Sequence, residues 1–254
     1  MMCGSDAAWR ATAGYLYLLH LDGPGLAWEY LRRNPEYQEA WQHADAHLDR
    51  WGLEAWEDPF LDARSACPIW NNTILPVLHV TSGSPGNTAD QPAFNLWSLP
   101  GRKRLRVLDA PDGHLALLAQ TESDWIRARV EPQALAAAST VYWLPVPVPV
   151  PVSATQHRRQ ACLLPPAAVG WTAQRRRRRT RGFRNQILHL RALQAVDAAA
   201  AGASHREIAE AIFGRDQVQA EWHADSSLRT QLRHYLRRGQ FFMRGGYLDL
   251  LTPR

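Results

Sequence analysis

Lysine is almost missing from this 254-residue chain: among 29 basic side chains, Lys103 is the only one. Arginine suits bidentate contacts to phosphate and guanine, although GC-rich codon usage accounts for most of the preference. Cysteine is scarce too. Cys3, Cys67 and Cys162 are odd in number and too far apart for a metal knuckle. That excludes a disulfide framework and makes a reducing, cytoplasmic setting the expectation. No apolar run approaches the roughly 20 residues that span a bilayer. The short stretch Tyr15–Leu19 is interrupted by His20 and follows Asp6 rather than a basic cluster, so it fails as a signal peptide and no membrane partner is expected. Catalytic signatures are missing as well: there is no glycine-rich phosphate loop, nucleophile elbow or Cys-x-x-Cys pair. His43 and His47 stand four apart without the glutamate of a His-Glu-x-x-His frame. The expectation is therefore no enzyme, no metal and no cofactor.

What the chain does have is a charge split. Residues 1–150 carry 11 Lys+Arg against 17 Asp+Glu, whereas residues 151–254 carry 18 against 7. The basic part opens with Arg175, Arg176, Arg177, Arg178, Arg179, Arg181 and Arg184. Such a footprint marks a protein that grips a polyanion. The dense acidic group Glu54, Glu57, Asp58 and Asp62 reads as a surface that keeps DNA off the front half.

Residues 9–56 read as helices. One runs from Pro24 to Arg33, and Asn34-Pro35 caps the next, whose stripe is Tyr37, Trp41, Ala44 and Leu48. Short runs at Ile74–Val80, Phe94–Leu99, Arg104–Leu108, His114–Ala119 and Trp125–Val130 read as a small antiparallel sheet, with Asp112-Gly113 as a hairpin turn. Pro145 to Pro151 alternates proline with valine, a semi-rigid spacer. The expected division is thus an assembly or partner-contact domain over 1–144, a Pro-Val and arginine-rich linker over 145–182, and a DNA-binding domain over 183–254. The run arginines, on a flexible arm, would neutralise phosphates without reading sequence.

From Phe183 the helical period returns. Ser204-His205-Arg206-Glu207 is a capping box, and the helix it opens stops at Gly214. A loop through Trp222 leads to a third helix, Ser227 to Arg238, ending at Gly239. Phe241 to Leu251 then reads as a closing hairpin turning at Arg244-Gly245-Gly246. That order is a winged helix-turn-helix, and the fold class is α+β. Leu228, Leu232, Tyr235 and Leu236 must face inward. Thr230, Arg233, His234 and Arg237 lie opposite, flanked by Arg229, Gln231 and Arg238, with Arg244 in the hairpin. Those are the candidate DNA contacts, since arginine reads guanine and glutamine reads adenine in the major groove.

Ala27-Trp28-Glu29-Tyr30-Leu31-Arg32-Arg33-Asn34-Pro35-Glu36-Tyr37 resembles the "transcriptional regulator-like" N-terminal domain of bacterial proteins. Gly202 to Glu210, Phe213-Gly214, Trp222, Leu228-Arg229 and Gly245-Gly246-Tyr247 with Leu250-Leu251 resemble the RovC-like DNA-binding domain, named for an activator of type VI secretion genes. The resemblance implies a sequence-specific regulator of secretion or mobile-element genes. It also implies a binder of double-stranded DNA that acts as a homo-oligomer in a bacterial cytoplasm, and RNA polymerase is an expected further partner. The alternative is a protein-interaction adaptor whose basic arm reads no DNA sequence.

Overall fold

Asp22 begins the first α-helix: its carboxylate accepts the Gly25 amide at 3.0 Å, and Pro24 occupies the first turn. This helix, α1 (Gly23–Leu31), is followed at once by α2 (Pro35–Gln42), where the Asn34 side chain accepts the Glu36 amide at 2.9 Å. Two 3₁₀ segments precede them, Ala8–Arg10 and Thr12–His20. The computed structural model describes residues 8–43, 47–75, 77–82, 102–107, 113–120, 125–136, 140–143 and 175–251. The Pro-Val spacer and the strand expected at Phe94–Leu99 lie outside the described residues. So does Ala44 of the second helix's expected stripe.

Contacts divide the chain into two units. A helical unit comprises Met1–Gln38, Asp62–Arg64 and Trp171–Leu250; a β unit comprises Glu39–Leu61, Ser65–Gly170 and Leu251–Arg254. The first helices are therefore grouped with the last ones.

The β unit holds five described strands: β1 (Leu78–Ser82), β2 (Arg102–Val107), β3 (Leu115–Gln120), β4 (Trp125–Val130) and β5 (Thr140–Trp143), ordered β2-β3-β4-β1-β5. The sheet is mixed rather than antiparallel, because β1 pairs in parallel with β4, Val80 opposite Val130. The pairing of β2 with β3 is the expected hairpin, with Gly113 at φ +60°. Two members of the acidic group, Glu54 and Glu57, are engaged by arginines rather than left as bare surface. Glu57 is buried, takes Arg106 at 2.7 Å and accepts the Cys67 amide at 3.1 Å. Glu54 pairs with Arg129 and accepts the Asn72 amide at 2.8 Å. These carboxylates neutralise arginines that β2 and β4 turn toward the chain covering them, which places them where burial requires a partner.

The helical unit is completed by α3 (Arg175–Ala200), α4 (His205–Phe213), α5 (Arg215–Glu221) and α6 (Ser227–Met243), then a 3₁₀ segment Gly246–Leu250. Three expectations change here. The arginine run is no flexible arm in its backbone: it forms the first turns of α3, as a proline-free run of good helix formers can. The loop before Trp222 contains α5. The closing hairpin is absent, because α6 continues through Gly239 to Met243 and a 3₁₀ turn replaces the second strand. Gly239 is not a stop signal but a point of close approach. A Cβ there would lie 2.3 Å from Val196 Cγ2 and 2.9 Å from the Ala192 carbonyl oxygen of α3. One core joins Trp9, Ala195 and Ala198 to Ile208, Ala209, Val218, Leu228, Leu232 and Tyr235.

Candidate nucleic-acid interface

Local chemistry sets both α4 and α6, the second of which carries the candidate contacts. Ser204 Oγ accepts the Glu207 amide at 3.3 Å while Glu207 accepts the Ser204 amide at 2.9 Å, so both halves of the capping box are made. Hydrogen bonding to Ser204 is the main reason the Glu207 carboxyl sits below the usual range. Ser226 caps α6 by accepting the Leu228 amide at 3.2 Å. Leu228, Leu232, Tyr235, Leu236, Gly239 and Phe242 are buried, so the remaining face of α6 must meet solvent.

That face is polar and cationic. Thr230, Gln231, Arg233, His234, Arg237 and Arg244 are exposed, and α6 contains no Asp or Glu. Arg229 lies half-buried over the Trp222 ring, 5.6 Å from its centroid. Arg238 turns inward, with its guanidinium 5.0 Å from the Phe242 ring centroid and Nη2 3.4 Å from His189 Nε2. Its Nε is buried with no hydrogen-bond acceptor among the described residues. Of the run, Arg184 is exposed, and Arg175, Arg176, Arg177, Arg178, Arg179 and Arg181 lie in the helical backbone ahead of it.

Reading the last turns of α6 as a strand hid Phe241, whose side chain is 56% exposed. Thr230, His234, Arg237, Phe241 and Arg244 recur at i, i+4, i+7, i+11 and i+14, one ridge about 21 Å long at 1.5 Å per residue. Gly246 lets the chain pass beneath the ring, since a Cβ there would meet Phe241 Cε1 at 2.4 Å.

A second group escaped sequence reasoning because its members lie some 160 residues apart. The Arg33 guanidinium donates to both oxygens of Asp197 on α3, Nε at 2.7 Å and Nη2 at 3.0 Å, and donates through Nη1 to Glu29 at 2.5 Å. Tyr15 donates to Asp197 at 2.7 Å. Glu29 is fully buried and also accepts from Arg32 Nε at 2.7 Å and the Ala63 amide at 2.7 Å. Burial alone would raise its pKa, but Arg33, Arg32 and the Ala63 amide outweigh it and hold the carboxyl low. For Arg33 burial acts to lower the pKa, and Asp197 and Glu29 reverse it, so the group stays charged.

Beside this network, Tyr30 Oη and His189 Nδ1 lie 2.9 Å apart, and Tyr30 stacks on Phe242 of α6 with centroids 5.0 Å apart. An arginine can only donate, so His189 Nε2 accepts from Arg238 and Nδ1 carries the proton toward Tyr30. Burial first, and then Arg238, pushes His189 down to about 4, which keeps the ring neutral. Asn34 Nδ2 donates to the Met243 carbonyl at 2.9 Å, at the end of α6.

Among the described residues no group of three or more His, Cys, Asp or Glu could hold a metal, and no helix is long and apolar enough to cross a membrane. No curated protein matches the chain. Two family models do. The chain is similar over residues 8–54 to the proteobacterial transcriptional regulator-like domain, and over residues 152–252 to the RovC DNA-binding domain, described as a type VI secretion transcription factor.

Proposed function

We propose that the protein is a sequence-specific transcriptional regulator that binds double-stranded DNA, with the outward face of α6 in the major groove. One observation carries this reading: α6 buries a complete apolar stripe and leaves Thr230, Gln231, Arg233, His234 and Arg237 in solvent with no carboxylate among them. An α-helix fits the major groove, and these side chains are donors suited to base edges. Phe241 extends the contact ridge as an apolar group able to meet a thymine methyl. The run arginines of α3 contribute phosphate contacts, while Arg238 supports α6 from inside rather than reaching bases. Homo-oligomerisation on repeated half-sites is part of the proposal, because linked modules multiply a modest single-site affinity. The similarity to a type VI secretion factor makes secretion genes the first targets to examine, with genes of mobile elements next.

The test is selection of bound duplexes by the full chain from a random pool, followed by titration of the winner and a scrambled duplex at several salt concentrations. The reading expects an enriched motif and a specific-to-scrambled ratio of at least about 10³. Salt-sensitive binding with no enriched motif would reduce the protein to a basic adaptor.

A further inference from the structure

We infer that the DNA-binding unit is built from both ends of the chain. The segment 9–38 is then a buttress for the helix presented to DNA, and not a separate domain free to contact partners. This goes beyond the two family matches, which fall on separate stretches of sequence, and it rests on the DNA reading only for its binding readout.

Three independent contacts support it. Arg33 forms a two-pronged ion pair with Asp197 at the far end of α3. Tyr30 engages His189 in the middle of α3, and His189 in turn meets Arg238 of α6. Asn34 reaches the last carbonyl of α6. The apolar packing agrees. Trp9 belongs to the same core as Ile208, Leu228 and Leu232, and the buried Gln194 donates to the Trp9 carbonyl at 2.9 Å. Without the segment, Asp197, His189 and Gln194 would lose the partners that make their positions on α3 tolerable. A buried polar group stripped of its partner costs more than the bond itself contributes. The chemistry of Glu29-Tyr30-x-x-Arg33-Asn34 is thereby explained: each side chain has a named atom to meet on α3, α6 or the turn at Ala63.

The experiment keeps the whole protein. A protease recognition sequence is inserted at Pro151 of the full chain, and the purified protein is cut. The cut halves are expected to co-elute on size exclusion at neutral pH and to bind duplex with the affinity of the uncut chain. In the cut protein, Arg33→Ala should weaken association of the halves at least about a hundredfold, as breaking a buried pair by removing one partner does. A gentler companion variant acts on Asn34, where a carboxylate would face the Met243 carbonyl oxygen. Asn34→Ser keeps an N-cap oxygen for the Glu36 amide and removes the donor to Met243 without burying a charge, so it should weaken association roughly tenfold. Halves of the unsubstituted protein that separate spontaneously would overturn the inference. So would an isolated carboxyl half with undiminished duplex affinity, or association indifferent to both substitutions. Halves that stay together yet bind no duplex would sink the regulator reading while supporting the two-ended unit.

Discussion

Arg233, Arg237 and Arg238 sit within one and a half turns of α6, yet they face different surroundings. Arg233 and Arg237 are solvent-exposed, so replacing either with alanine should leave folding intact. Each change should lower discrimination between the selected duplex and a single-base mismatch by about 1–3 kcal/mol if the side chain reads a base. Anisotropy titrations of matched and mismatched duplexes check this; equal losses on both would assign the arginine to phosphate. Arg238→Ala should instead lower the thermal midpoint, because its guanidinium lies against Phe242 and His189. His189 yields a pH prediction of definite sign. Its folded pKa, about 4, lies below the ordinary 6.5, so the unfolded chain binds the extra proton between those values. The neutral ring's contribution is complete above pH 6.5 and disappears as pH falls toward 4. The loss is on the order of 3 kcal/mol by linkage. Denaturant titrations across that window should show stability falling with acid, and His189→Gln should flatten the slope.

Element by element, what the sequence discloses depends on whether the deciding contact is local. The capping box at Ser204 and the Asn34-Pro35 helix start are legible because donor and acceptor lie within three residues. The inward stripe of α6 is legible because a helix repeats its own geometry. Gly239 misleads because its reason is tertiary: α3 comes so close that only a hydrogen fits. Once glycine is read as a terminus, Phe241-Phe242-Met243 looks like a strand and the exposed Phe241 is lost from the contact ridge. The parallel pairing of β1 with β4 is equally invisible, since register between strands 50 residues apart leaves no trace in either. The tertiary account of Gly239 makes a prediction at this scale. Gly239→Ala raises helix propensity by about 1 kcal/mol but forces a Cβ against Val196 and the Ala192 carbonyl. Overpacking of this kind costs about 1–3 kcal/mol, so the variant should melt lower than wild type and bind duplex more weakly. An unchanged or raised melting temperature would mean that α3 and α6 are not held at this spacing.

At the scale of the molecule, the backbone of the arginine run is continuous with a packed helix. The arginine run shares one continuous helix with Ala192 and Gln194, which are buried in the helical unit, and with Asp197, which holds Arg33. A continuous helix ties the backbone of the run to the packed part of α3, whereas a tethered arm would leave it free to turn. Both arrangements release counterions, so both predict a salt-dependent affinity. Replacing Arg175, Arg176, Arg177, Arg178 and Arg179 with glutamine should reduce the slope of log K against log salt by up to about 4 units and leave the specific-to-scrambled ratio unchanged. The two arrangements part on a second variant, insertion of three glycines after Gly182, which keeps every arginine but breaks the helix. For a tethered arm the insertion is nearly neutral, because loop-closure entropy grows slowly with length. For a continuous helix it uncouples phosphate contacts from the face of α6, and duplex affinity should fall about tenfold with the salt slope largely retained. Affinity unchanged by the insertion would show that the run acts as an arm even though its backbone is helical.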